Sequence, residues 1–194
     1  MHPYEMATTM RQRGKHESIK LNYGSLYTVV QSLSRAGMIA AHETEREGRR
    51  PERTVYTLLD AGRIELIDWL SELLSTPAKE FTQFEAALSL LPCLPPDDAL
   101  GLLVDRVRAT ELELVRERST LAYAAARGIP RLFCVEGEYR IAMREAELAY
   151  TNELVNDIQT GAFESLELWS GYHRPSQQPP KQLPESGLRK EGTP

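Results

Sequence analysis

Apolar positions recur along this chain with two different periods, and the changes of period outline its elements. From residue 22, Leu26, Val29, Val30 and Leu33 fall on one face at helical spacing, while Gly24, Thr28, Gln31, Ser32 and Arg35 fall on the other. Asn22 supplies a side-chain oxygen that caps an otherwise orphaned amide, and Ser25 at the third helical position reinforces it. The spacing therefore predicts a helix over 22–35 with one core face and one free face, stopped at Gly37. The period then shortens to two. Residues 38–44 and 53–58 read as strands, Tyr56 and Leu58 alternating with Val55 and Thr57, and Gly48 and Pro51 make the intervening segment a turn.

Helical spacing returns over 60–75, where Ile64, Leu66, Ile67, Trp69, Leu70, Leu73 and Leu74 give a long amphipathic helix ended by Thr76-Pro77. Phe81, Phe84, Ala87, Leu88 and Leu91 predict a short apolar helix over 81–91, closed by Pro92 to Pro96. Asp97 is the expected cap of a helix running to about 127, in which Leu100, Val107, Leu114 and Leu121 recur at seven-residue steps with Leu103 and Val104 beside the first. Gly128-Ile129-Pro130 breaks it, and a second long helix, about 132 to 161, presents Tyr139, Met143, Ala146, Tyr150, Leu154 and Ile158. Such a hairpin is expected to bury the seam Leu100, Leu103, Val107, Leu114 and Leu121, with Tyr139, Met143, Tyr150 and Leu154, against a second copy; an intramolecular helical bundle is the competing expectation. Pro175, Pro179, Pro180 and Pro184 mark 173–194 as a flexible tail. The expected fold class is mostly α with a small β-hairpin wing, in two parts: a first domain over 1–76 and a long-helix dimerisation domain over 77–172.

Small hydrogen-bonding residues at the start of the 22–35 helix are what a DNA major groove admits, although the helix taken alone reads equally as an ordinary surface helix. Arg46, Arg49, Arg50 and Arg53 on the turn can reach phosphates or the minor groove. Glu43, Glu45, Glu47 and Glu52 are interleaved with them, so a solvated, locally neutral loop is the bland alternative. The net charge of −5 divides into +2 over residues 1–60 and −7 over the remainder, which places the acid outside the proposed DNA-binding unit.

With these elements in order, residues 1 to about 75 resemble the PadR (phenolic acid decarboxylase regulator) family of winged helix-turn-helix transcription factors. The matching residues are His2-Pro3-Tyr4-Glu5-Met6, Gly24-Ser25-Leu26-Tyr27, Leu33 with Gly37-Met38-Ile39, Gly48-Arg49, and Tyr56-Thr57-Leu58 with Ala61-Gly62. The resemblance implies that Tyr4, the recognition helix through Asn22, Tyr23, Gly24, Ser25, Tyr27, Thr28 and Gln31, and the wing through Arg49, Arg50 and Arg53 contact double-stranded operator DNA. It also implies a homodimer and, since some members respond to aromatic or cationic small molecules bound near the dimer interface, a small-molecule effector with Trp69, Tyr123, Tyr139 and Tyr150 as pocket walls; aromatic residues at helical spacing that simply fill the core are the alternative. The chain departs from the pattern at Thr28 and Tyr23, where the family usually has proline, and at Leu59, which cannot cap the helix that follows. The family also carries an apolar helix before His2-Pro3-Tyr4-Glu5. Met6, Met10, Leu26, Val30 and Leu58 are therefore expected to be covered either by a segment upstream of Met1 or by a partner subunit.

Chemistry of other kinds finds little support. His2, His16, His42 and His173 are scattered without metal-ligand spacing, and neither a phosphate loop nor a dinucleotide fingerprint is present. Glu111, Glu113 and Glu117 read as a solvated helix face, and Cys93 and Cys134 as small apolar residues in a reducing compartment. No run is long and apolar enough to cross a membrane. The expectation is a cytoplasmic, homodimeric transcriptional regulator, a repressor without cofactor, metal or catalytic residues. The rival is a helical ligand-binding or interaction scaffold that has lost DNA binding.

Overall fold

The structure, a computed structural model, describes residues 1–20, 22–45 and 53–174. It divides into two compact units, Met1–Phe81 and Thr82–Pro194.

In the first unit, α1 (Pro3–Gln12) leads through a short turn to α2 (Tyr23–Arg35), followed by an antiparallel pair, β1 (Ile39–Glu45) and β2 (Arg53–Leu58), and by α3 (Asp60–Ser75). The bounds of α2, β2 and α3 are those the periodicity predicts, and β1 is displaced by one residue. Gly37 ends α2 with φ of 71°, a left-handed conformation that costs glycine nothing. The strand register pairs Ile39 with Leu58 and Ala41 with Tyr56, with an irregularity between His42 and Glu45. Met1 extends this ladder: its backbone nitrogen donates to Tyr56 O at 2.9 Å and its carbonyl accepts from Tyr56 N at 3.1 Å. Leu59 precedes α3 without a side-chain cap, as its chemistry requires.

The core of this unit is thin. Ala7 and Val30 are buried and Leu26, Met6 and Met10 half-buried, but Val29 and Leu33, expected on the core face of α2, are 49% and 41% exposed, and Leu58 is 42% exposed. The apolar arc of α2 is wider than the surface that α1 and the hairpin offer it.

In the second unit, α4 (Gln83–Ser89) is capped by Thr82, whose hydroxyl accepts from Glu85 N at 3.2 Å. α5 (Pro96–Ala126) and α6 (Val135–Thr160) follow, then α7 (Leu166–Tyr172). Asp97 is not the cap of α5; Pro95 occupies that position and Asp97 and Asp98 lie in the first turn. Proline at the first helical position is already set for helix, and the acids there oppose the positive end of the dipole. α6 begins at Val135 rather than near 132, because Arg131–Phe133 forms a separate 3-10 turn, and Gly161 closes it with φ of 77°. α7 was not expected from the sequence. Residues 175–194, read as a tail, lie outside the described residues.

α5 and α6 form the predicted hairpin, and its core joins Ala99, Leu103, Leu154, Val155, Ile158 and Trp169, with Leu100, Val107 and Phe84 packed against it. Leu103 is 5% and Leu114 2% exposed, and Leu121 is half-buried. Leu103 and Leu114 are thus covered within one chain, whereas Leu100, Val107 and Leu121 keep part of their surface open. Polar cross-links set the register of the two helices: Arg106 Nε donates to Glu147 Oε1 at 2.8 Å, Arg144 Nε to Glu117 Oε1 at 2.9 Å, and Arg118 Nη2 to Glu145 Oε1 at 2.6 Å. Trp169 ties α7 down, its indole donating to Leu94 O at 2.7 Å.

Candidate nucleic-acid interface

The exposed start of α2 is built by its own cap. Asn22 Oδ1 accepts from Gly24 N at 3.0 Å, and Ser25 Oγ donates back to Asn22 O at 3.0 Å, so two polar groups that would compete with the helix instead close its first turn. A side chain at Gly24 would meet Asn22 Oδ1 at 3.4 Å, an ordinary contact, so glycine here leaves the surface low rather than relieving a clash. Gly24, Ser25, Thr28 and Gln31 are all exposed, and Tyr27 is 50% exposed, while Val30 on the opposite face is 3% exposed. The helix therefore offers hydroxyl, amide and phenol groups outward from a backbone anchored on the inner side. Tyr23 opens α2, and its side chain lies outside what the structure describes.

Tyr4 stands in the first turn of α1 and is 66% exposed. His2 connects it to α2. The His2 Nδ1 accepts from Tyr4 N at 3.1 Å, the His2 N–H donates to Glu5 Oε2 at 3.1 Å, and the imidazole meets the Tyr27 ring edge-on with centroids 6.2 Å apart at 70°. His2 is not among the site residues that the sequence points to. Its sequence signals are its place at the head of the His2-Pro3-Tyr4-Glu5-Met6 motif and three residues before Glu5, the spacing of a reciprocal cap, and histidine is an unusual residue for that role.

Of the wing residues, Arg49 and Arg50 lie outside the described residues, and Arg53 opens β2 paired with Glu45. Of the expected dimerisation residues, Leu103, Leu114 and Leu154 are buried and Leu100, Val107 and Leu121 half-buried inside the chain. Tyr139, Met143 and Tyr150 are 68%, 54% and 53% exposed. Of the aromatic residues expected to wall an effector pocket, Tyr123 carries the Arg127 guanidinium 4.8 Å from its ring, and a groove of about 410 Å³ between α5 and α6 is lined by Leu114, Val115, Arg118, Glu145 and neighbours. Among the described residues there is no cluster of three or more metal-ligating side chains, and no helix is long and apolar enough to cross a membrane.

Residues 1–68 match the model of the family described as "Transcriptional regulator PadR-like family". The chain is similar in structure to Bacillus subtilis PadR in complex with operator DNA, at 17% identity and a TM-score of 0.69, covering 81% of this chain and 91% of that one. It is similar to the same Bacillus subtilis protein in complex with p-coumaric acid, at 16% identity and a TM-score of 0.65, covering 82% and 90%. A third likeness is to the Vibrio cholerae virulence activator AphA, at 16% identity and a TM-score of 0.59, covering 81% and 89%. No curated protein matches the chain.

Proposed function

From the premise that residues 1–68 belong to the PadR-like family of transcriptional regulators, we propose that this chain is a homodimeric repressor that binds operator DNA through α1, α2 and the wing. The carrying observation is that the family match spans both helices and the hairpin, and that α2 leaves Gly24, Ser25, Tyr27, Thr28 and Gln31 open to a groove while Val30 holds its inner side. Gln31 is assigned to base edges, where an amide can read donor and acceptor together. Arg49, Arg50 and Arg53 are assigned to phosphates.

Binding duplex selected from random sequence at several salt concentrations tests this reading. Wild-type affinity falls steeply with salt, and Arg49→Ala with Arg50→Ala shallows the logarithmic slope by about two, one for each phosphate that is no longer neutralised. Gln31→Ala instead narrows the ratio of selected to unrelated DNA. A wild-type protein whose selected sequences show no salt-dependent affinity supports the scaffold reading in place of the regulator.

The homodimer is assigned to an outward stripe of α6, Val135, Tyr139, Met143, Ala146 and Tyr150, because this stripe is exposed while Leu103 and Leu114 of the other seam are buried within the chain. These residues follow one another at three- and four-residue steps, the geometry of a helix seam. An effector of phenolic or other aromatic character is assigned to the dimer, where a second copy completes the enclosure that Tyr139 and Tyr150 lack in one chain.

A further inference from the structure

Residues 1 and 2 join three elements of the proposed DNA-binding surface. The Met1 backbone exchanges both hydrogen bonds with Tyr56 on β2, the His2 ring nitrogen closes the first turn of α1 on Tyr4, and the His2 ring packs edge-on against Tyr27 of α2. We propose that His2 is a positioning residue for operator recognition, fixing the Tyr27 side chain on α2 relative to Tyr4 on α1. This rests on the reading of this surface as a DNA interface.

Nδ1 of His2 accepts a backbone N–H, so the ring is held at that edge and any ring proton of the neutral imidazole sits on Nε2. Its backbone is held at the other end, by the Glu5 carboxylate on its own N–H and by the Met1–Tyr56 pair one residue earlier. A ring held at Nδ1 and carried on an anchored backbone is a wall for Tyr27. Tyr27 is 50% exposed, and a half-exposed tyrosine without a wall samples several staggered rotamers. Binding would then have to order it at the moment of contact, which weakens the specific complex more than the loose non-specific one. His2 need not touch DNA for this effect, and α1, α2 and β2 share the anchor.

Two substitutions separate the ring from the cap. His2→Asn keeps an acceptor for Tyr4 N and removes the ring; His2→Phe keeps a ring against Tyr27 and removes the acceptor. In duplex binding with the full chain, His2→Asn is expected to melt close to wild type while losing roughly three- to tenfold in affinity for the selected sequence, the range of one aromatic pair, with affinity for unrelated duplex unchanged. His2→Phe is expected to melt lower yet keep the ratio of selected to unrelated binding. Combined with Tyr27→Ala, His2→Asn adds no further loss. A selected-to-unrelated ratio for His2→Asn equal to that of wild type overturns the proposal while leaving DNA binding standing. A wild-type chain with no salt-dependent duplex binding overturns both. Should His2→Asn fail to fold, proton NMR of the wild type decides, since absence of cross-relaxation between the His2 and Tyr27 ring protons refutes the contact.

Discussion

A Cβ on Gly62 would overlap the carbonyl oxygen of Met38 and stand 2.9 Å from Leu58 Cδ1, so glycine is required here by close approach of α3 to the strand hairpin rather than by backbone conformation. The same Met38 oxygen accepts from Leu59 N at 3.0 Å, which pins the chain just before α3 and prevents the helix from moving aside. Gly62→Ala is therefore expected to destabilise the first unit by about 1–3 kcal/mol, the ordinary cost of forcing a methyl into packed backbone. Chemical denaturation would show this as a lower midpoint, and an unchanged midpoint would mean that α3 does not lie against Met38. That Gly62 opens a helix is visible in the sequence; that a backbone oxygen lies over it is not, because the oxygen belongs to a residue on the far side of the hairpin. Val29 and Leu33 teach the converse. Helical spacing places them on the core face of α2, yet at 49% and 41% exposed they lie beyond the area that α1 and β2 cover. Periodicity identifies a face and says nothing of the width of its partner.

At the level of elements, the α5–α6 hairpin divides its apolar residues into an inner seam and an outer stripe, and the two respond differently to charge. Leu114 is 2% exposed between the helices, so Leu114→Asp buries an unpaired carboxylate and is expected to unfold the second unit, with loss of helical circular dichroism. Met143 is 54% exposed in one chain, so Met143→Asp is expected to leave that signal intact and to convert a dimer into a folded monomer by sedimentation. Equal behaviour of the two variants would contradict the assignment of the outer stripe to the dimer. The seven-residue repeat through Leu100, Val107, Leu114 and Leu121 reads as a helix–helix seam, but a repeat carries no information on whether the facing helix belongs to the same chain. α7 escaped the sequence for another reason. Seven residues are too few to hold a helix by propensity, and this one is kept by Trp169, 4% exposed, with its indole nitrogen on Leu94 O and its ring against Phe163 at 6.0 Å.

At the scale of the molecule, the chain separates into a unit of residues 1–81 that carries the proposed DNA contacts and a unit from residue 82 that carries the hairpin. If the α6 stripe is the dimer contact, residues 82–174 expressed alone should dimerise, and a folded monomer in sedimentation would place the contact in the first unit, where Ile64, Ile67, Trp69 and Leu74 of α3 are each more than half exposed. What the sequence by itself determined is local or ordered along the chain: the caps and breaks of α2, β2 and α3, the hairpin of long helices, the concentration of acid beyond residue 60, and the spaced motifs of a family. Each depends on neighbours a few residues away or on their order, and both survive in one dimension. Tertiary structure alone decided that Leu103 and Leu114 are buried within their own chain, that Met38 lies over Gly62, and that the ring of the histidine before Pro3 meets Tyr27 edge-on. These depend on surfaces brought together from distant parts of the chain, where the partner of an apolar or polar group is chosen by geometry and not by spacing.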